Sequence, residues 1–353
     1  MKLFYVLLAT LTFLFADTNS SSKYDIVPTI TSNPTSGTGV GVLNSFVYGM
    51  DHNGSPSQAT LTAEYTTSNS FNVFFTNTMF LASDKVLANT SVTYVYTKND
   101  FDVNNTSTQF DLQVIYLAQE IQYAFIPNFY TGVKIAYVKV DFEPTNSAGT
   151  AFLLDNGITN DSRANVGLSF LYDNRNKNEK IYPRDAQYLY LGINAYPSFL
   201  GAAEDFYVSE LNAKHYQRGF KATDVIALQL YVQYGSENTS DPALPGLGFY
   251  NILRGFPNDQ YKARLLSAIQ TEYRYQINES RYRLTAFAGF ANLSLGSKGT
   301  ASGNRDSNNG NYYSGGMGIH YILNEKLGVD YRVDLVSAST GEYSVYANIN
   351  QAF

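Results

Sequence analysis

Apolar residues recur at every second position along most of this chain, and a pattern with that period builds strands. Between Asp224 and Tyr234, the residues Ile226, Leu228, Leu230, Val232 and Tyr234 fall on one face, and Ala227, Gln229, Tyr231 and Gln233 on the other. Between Gln187 and Tyr196, Leu189, Leu191, Ile193 and Ala195 oppose Tyr188, Tyr190, Gly192 and Asn194. Ile269, Thr271, Tyr273 and Tyr275 oppose Ala268, Gln270, Glu272 and Arg274; Val329, Tyr331, Val333 and Leu335 oppose Gly328, Asp330, Arg332 and Asp334. Successive side chains of a strand point to opposite faces, so these are half-buried strands. Segments of the same kind follow one another from about Val40 to Phe353, with turn clusters such as Thr67-Ser68-Asn69-Ser70 and Leu323-Asn324-Glu325-Lys326 between them. No long amphipathic helix interrupts the series. The count reaches about sixteen if Tyr24–Ile30 pairs as the first strand.

Two all-β architectures share this alternation. A sandwich hides the apolar face between two sheets, whereas a membrane barrel turns it outward to lipid. Three features favour the barrel. The polar face carries charges and Gly on many strands, as a wet lumen would. Aromatics gather near strand ends, at Tyr48, Tyr172, Tyr196, Tyr234, Phe249, Tyr250, Tyr275 and Tyr321, as in the aromatic girdles of such barrels. The chain ends in an alternating stretch with Val345, Ala347, Ile349 and Phe353 on one face, and a barrel needs a last strand to close on its first. That places Ile349 and Phe353 at the expected seam. The expectation is a transmembrane antiparallel β-barrel of about sixteen strands. One segment departs from the rule: Gln109–Phe125 changes face near Ala118–Glu120, which predicts a bulge or a longer bent strand.

The chain of 353 residues begins with Lys2 and an apolar run from Leu3 to Phe15, then Ala16 and a polar stretch. This order reads as an export signal over residues 1–16. Residues 17–36 then form a short polar segment holding the first strand, and 37–353 the barrel. The remainder divides at about 21 residues per strand and connection, which accommodates a tilted strand of about 9–11 residues. Charged residues make up only 15% and aromatics another 15%, against disorder. The net charge of −6 disfavours nucleic acid as a partner, and the lack of Cys excludes disulfides and Cys-ligated metals. His52, His215 and His320 lie far apart without metal-ligand spacing, and no Ser motif accompanies His320. The expectation is a protein that is not an enzyme and holds no metal or cofactor.

Several motifs carry a resemblance. Asn251-Ile252-Leu253-Arg254-Gly255-Phe256-Pro257 follows a loop rich in Gly and Pro, and a strand with Thr271-Glu272-Tyr273-Arg274-Tyr275 comes next. Tyr172-Asp173-Asn174-Arg175-Asn176 precedes Pro183 and Asp185, and Asp330-Tyr331-Arg332-Val333-Asp334-Leu335 precedes the terminal segment. In this order they resemble the barrel domain of the BamA/TamA outer-membrane assembly superfamily, also called the bacterial surface antigen family. The likeness is good from about Ala164 to Phe353 and diffuse before that. It implies a sixteen-stranded barrel in which the Arg-Gly-Phe loop (Arg254, Gly255, Phe256) folds inward. The family's loop Arg pairs with acidic groups on the inner wall. Here Glu272 is the natural carboxylate partner, with Arg274 beside it, because a guanidinium meets a carboxylate bidentately. The family's Phe-x-Asp-x-Gly motif reads Phe287-Ala288-Gly289-Phe290-Ala291 in this chain, so its Asp is missing; Asp330 or Asp334 on the polar face is the candidate replacement.

The family's periplasmic POTRA modules find no room between Ala16 and the first strand, which implies a barrel-only member. The resemblance implies an outer-membrane location, with membrane lipid and unfolded outer-membrane or secreted proteins as partners. Three roles stay open at this point. The first is insertion or translocation of protein or lipid through a parting seam. The second is a passive channel or structural barrel. The third is the barrel of a split system with a separate periplasmic partner.

Overall fold

The computed structural model describes residues 23–33, 37–49, 54–103, 106–155, 158–176, 180, 182–248, 252–256, 261–278, 280–296, 309–324, 329–341, 343–349 and 351–353. The expected export signal, His52, Pro257 and most of the polar stretch 296–311 lie outside them. The described residues form sixteen antiparallel strands in one closed sheet. In chain order these are β1 (Lys23–Asn33), β2 (Gly37–Tyr48), β3 (Ser57–Thr66), β4 (Phe71–Leu81), β5 (Val86–Val103), β6 (Thr106–Ile126), β7 (Phe129–Pro144) and β8 (Asp161–Asp173). They continue as β9 (Ala186–Tyr196), β10 (Phe206–Arg218), β11 (Val225–Gly235), β12 (Leu265–Gln276), β13 (Tyr282–Ser294), β14 (Gly310–Asn324), β15 (Val329–Ala338) and β16 (Tyr343–Ile349). Each strand pairs with its neighbours in sequence, and β1 meets β16 to close the ring. The first strand thus falls inside the segment 17–36.

Burial runs opposite to that of a soluble domain. On β12, Gln270, Glu272 and Arg274 are buried, while Ile269 on the opposite face of the same strand is 55% exposed. Leu228 and Leu230 on β11, Leu284 and Phe290 on β13, Met317 and Ile319 on β14, and Val333 and Leu335 on β15 are all exposed. Their alternate neighbours Gln229, Arg283, Thr285, His320, Asp330, Arg332 and Asp334 are buried. A closed ring has an inside and an outside, so the polar face is the interior and the apolar face meets lipid. Closure matters because lipid offers no hydrogen-bonding partner to an exposed backbone.

β5, β6 and β7 are longer than their neighbours and extend together beyond the ring. Their far end is capped by helix α1 (Ser147–Asp155), whose Phe152 stacks on Phe110 with ring centroids 5.9 Å apart. β6, at 21 residues, is the longer strand of the two alternatives the sequence suggested, but it does not change face. The pairing runs without a break through Ala118–Glu120, and the one irregularity against β7 falls between Ala124 and Ile126. The apparent change of face arises because the interior side of the first half is itself apolar: Phe110 packs on Phe142 and Phe152. Tyr196 is a second correction. It faces the interior, stacked on buried Phe206 at 4.4 Å under the Arg163 guanidinium, and so does not belong to an outer girdle.

Placing a charge on the outer wall tests this assignment of faces. Ile269→Arg should destabilise the barrel by about 2–4 kcal/mol if the residue sits near the bilayer midplane. Urea unfolding in lipid vesicles measures it; a change near zero would contradict the placement.

Candidate functional site: an ion clasp inside the barrel

The connection from β11 to β12 contains the described stretch Ile252–Phe256, and all five residues are buried. Two kinds of contact hold it. The first is apolar. Ile252, Leu253 and Phe256 cluster with Tyr231, Leu247, Leu266, Ala268, Ala291, Leu293 and Ala338. The Phe256 ring meets Tyr261 and Tyr312 edge-on, at 5.5 and 5.7 Å. The second is polar. The Leu253 N–H donates to Gln270 Oε1 at 3.3 Å, Gln270 Nε2 to Gln229 Oε1 at 2.7 Å, and Gln229 Nε2 to Asn212 Oδ1 at 2.9 Å. A row of amides therefore ties the loop to β12, β11 and β10.

Arg254 lies at the centre. Its Nη2 donates to Glu272 Oε2 on β12 at 2.7 Å, and its Nη1 to Asp334 Oδ2 on β15 at 2.8 Å. One guanidinium therefore spans strands that are not neighbours in the sheet. Its plane stacks over Phe287 of β13, 3.5 Å from the ring centroid. The flat fork of Arg suits this arrangement, with two carboxylates at its edge and an aromatic face beneath it. Lys, a point charge on a flexible stem, has no equivalent geometry.

Gly255 has φ +100°, a conformation that L side chains rarely adopt, and a Cβ there would meet Val336 Cγ1 at 2.9 Å. This turn also lets the Gly255 N–H reach the Tyr346 hydroxyl of β16 at 3.1 Å. Gly289 matters in another way. A Cβ at this position would lie 2.7 Å from Leu253 Cδ1, so the loop leucine fills the space above the glycine. The second carboxylate comes instead from Asp334.

Arg274 does not touch Arg254. It takes the other oxygen of Glu272, Nε to Oε1 at 2.8 Å, and its Nη2 donates to the backbone oxygen of Phe353 at 2.8 Å. Phe353 is here a correction to the expected seam position. It leaves the line of β16 and is buried inside with Tyr182, Ala186, Tyr216, Val225, Ala227 and Ala352. Ile349 stays on β16, its Cα opposite Tyr331.

Arg283 has no counterpart in the sequence reading, and Asp330 and His320 appear there without their partners. Arg283 Nη1 binds Asp330, whose Oδ2 also accepts from Gln351 Nε2 at 2.8 Å. His320 is fully buried, with Nδ1 3.6 Å from Asp330 Oδ2 and Nε2 3.6 Å from Asp334 Oδ1; Thr285 Oγ1 stands 3.3 Å from Nε2. Alternation alone places Arg283 and His320 on the polar face, but their partners are set by pairing across strands, which alternation does not report. At the end of the barrel where β8 runs into the connection to β9, Asp173 accepts two side-chain bonds from Arg175 at 2.9 Å each, one from the Arg175 N–H at 3.1 Å and one from Lys180 at 2.8 Å. Burial in the β8–β9 connection lowers the Lys180 pKa, with Asp173 opposing the shift.

The sequence matches the family model of the Omp85 superfamily domain over residues 52–328. The chain belongs to the Omp85 superfamily. Among solved structures it resembles CdiB from Escherichia coli, with TM-score 0.65 at 10% identity over 92% of this chain and 62% of that one. CdiB from Acinetobacter baumannii gives TM-score 0.63 at 8% identity over 93% of this chain and 59% of that one. BamA from Haemophilus ducreyi lacking POTRA domains 1–3 gives 0.56 at 11% identity over 94% of this chain and 70% of that one. The chain spans only about three fifths of the CdiB chains, and at these identities the likeness is one of fold. No curated protein sequence matches it.

The clasp predicts strong coupling. Arg254→Ala takes the bridging cation from two buried carboxylates, although Glu272 keeps Arg274, and should destabilise the barrel by about 3–5 kcal/mol. The double variant Arg254→Ala with Glu272→Gln should lose less than the two single losses summed, as a double-mutant cycle by urea unfolding would show. Gly289→Asp should also destabilise the barrel, by about 1–3 kcal/mol through overpacking on Leu253 alone; no loss would place the loop elsewhere.

Proposed function

We propose that this protein is an outer-membrane barrel that assists insertion or translocation of proteins, or of lipid, by parting the seam between β1 and β16. The observation that carries this reading is the shortness of the seam. Among the described residues, β1 and β16 register only at Thr31 opposite Tyr346 and Ser32 opposite Val345. β1 and β2 register at eleven positions, from Lys23 opposite Val47 to Asn33 opposite Gly37. β1 also carries Pro28, which has no N–H to give to a ladder.

The physics of such an edge favours the role. Backbone groups left unpaired in lipid cost several kcal/mol each, and an open edge is a template for another strand. A strand from an unfolded outer-membrane or secreted client satisfies the groups that β1 leaves open, by strand addition. Membership of the Omp85 superfamily and the likeness to BamA and CdiB barrels support this class of activity. A separate periplasmic partner that delivers clients fits the same reading.

A disulfide lock tests it. The chain has no Cys, so Ser32→Cys with Val345→Cys adds the only thiols. The oxidised barrel should lose client insertion in a proteoliposome assay and regain it on reduction. Undiminished insertion in the locked barrel would overturn the seam mechanism.

A passive channel is the competing reading. Thr60, Thr62, Thr76 and Thr78 lie on the interior face of β3 and β4, Thr76 exposed and the other three half-buried. Such a wall suits a water-filled path. If Arg254→Ala raises single-channel current in planar bilayers while the oxidised seam leaves wild-type current unchanged, the channel reading gains and the insertion reading loses.

A further inference from the structure

The outer wall carries a row of polar side chains between two apolar rows. Asn77 on β4 lies opposite Thr90 on β5, and Thr90 opposite Gln119 on β6. Gln119 shares the face of Leu117 and Ile121, which are exposed on the lipid side. Glu120 points the other way, where its Oε1 accepts from the Tyr190 hydroxyl at 3.1 Å. Two residues along each strand in one direction lie Phe75, Val92 and Leu117, and in the other direction Met79, Ala88 and Ile121. The polar row therefore stands inside the apolar band. Further round the ring, on β11 and β12, the outer wall presents Leu228, Leu230 and Ile269.

Hydrocarbon offers such groups no hydrogen-bonding partner, and the row satisfies itself only in part. Tyr48 of β2 reaches across β3 and donates its hydroxyl to Asn77 Oδ1 at 2.7 Å. Thr90 Oγ1 donates to Gln119 Oε1 at 2.7 Å, and Gln119 Nε2 to the backbone oxygen of Glu120 at 3.2 Å. Asn77 Nδ2 has no acceptor among the described residues. An amide nitrogen carries two donors, and each amide oxygen accepts twice, so Asn77 Oδ1 and Gln119 Oε1 each keep one lone pair.

We propose that the outer wall of β4–β6 is the contact face of a homodimer, in which a second copy of this chain sets its own polar row against this one. The complementarity is one of partial charge. Each carboxamide presents a positive N–H edge and a negative oxygen, so the row matches itself about a two-fold axis, as an isologous interface requires. Asn77 Nδ2 of each copy then donates to a carboxamide oxygen of the other. Polar side chains join membrane segments in this way because lipid tails compete for neither partner. The acceptors that lipids do carry lie at the bilayer surfaces, beyond the flanking apolar rows. Ala59 of β3, opposite Asn77, leaves room for close approach. β5 stands four strands from β1, a quarter of the ring, so this contact leaves the β1–β16 seam open to lipid. The dimer and the seam mechanism are independent of each other.

Single cysteines report the contact in a chain with no other thiol. Thr90→Cys stands in the row and leaves Asn77 in place; Leu230→Cys faces lipid on β11, six strands away. Oxidised in intact membranes, Thr90→Cys should give a species of twice the chain's mass and Leu230→Cys none. Native mass spectrometry of the unsubstituted protein should show the same dimer. Asn77→Leu with Gln119→Leu replaces both carboxamides by apolar groups of similar size, which suit a lipid-facing wall. In a dilution series it should weaken association by about tenfold. Heat-modifiable mobility on gels checks that the barrel is folded, and Asn77→Leu alone covers the case in which the double variant is not. A protein that stays monomeric throughout, or association unchanged in a folded Asn77→Leu variant, would overturn the proposal. So would equal cross-linking from Leu230→Cys, or a Thr90→Cys adduct with a protein of another mass in place of the dimer.

Discussion

A sheet that stands in lipid must close, because lipid gives its edges no other source of hydrogen bonds. Everything in this chain answers to that requirement. It dictates the antiparallel hairpin order, the outward apolar side chains, and the confinement of charge to the interior, to the connections and to the extended ends of strands such as β7. It also makes the junction of β1 and β16 different in kind from the other pairs. Every other junction joins strands linked by a single connection, whereas this one joins the two ends of the barrel, and among the described residues it is only two registered positions long.

The clasp shows how the interior is ordered. Arg254, Glu272, Arg274 and Asp334 are buried ions, and buried ions are poor sources of net stability because desolvation offsets their attraction. What they supply is selectivity of position. A guanidinium between Glu272 and Asp334, over Phe287, fits one loop conformation, and Leu253 above Gly289 excludes others by contact. The apolar cluster around Phe256 contributes the greater share of attraction, since burial of aromatic and aliphatic surface is not offset in the same way.

Much of this was legible in the sequence because strand periodicity is a local signal. Whether Ile269 and Glu272 face opposite sides is decided by their own spacing, and it needs no knowledge of a neighbour. The strand order follows as simply, because each strand pairs with the next. Features that depend on contacts across the ring were less visible. The partner of Arg283 lies on β15, and nothing in the residues between them names Asp330. The stretch around Ala118–Glu120 misled for a related reason: α1 covers the interior side of β6 near Phe110 with apolar residues, and periodicity cannot tell that from a turn of the strand.

Phe353 is the most informative of these cases, because local pattern and tertiary position disagree while each has a physical basis. The outward place satisfies the alternation and the backbone of β1. The inward place satisfies Arg274, whose guanidinium would otherwise lose an acceptor deep in the barrel, and buries an aromatic ring among Tyr182 and Tyr216. Local pattern and tertiary contacts conflict here, and the interior contacts decide the outcome. That the conflict falls on the strand forming one edge of the seam, and that its interior side touches the carboxylate holding Arg254, joins the closure of the barrel to the ordering of its interior.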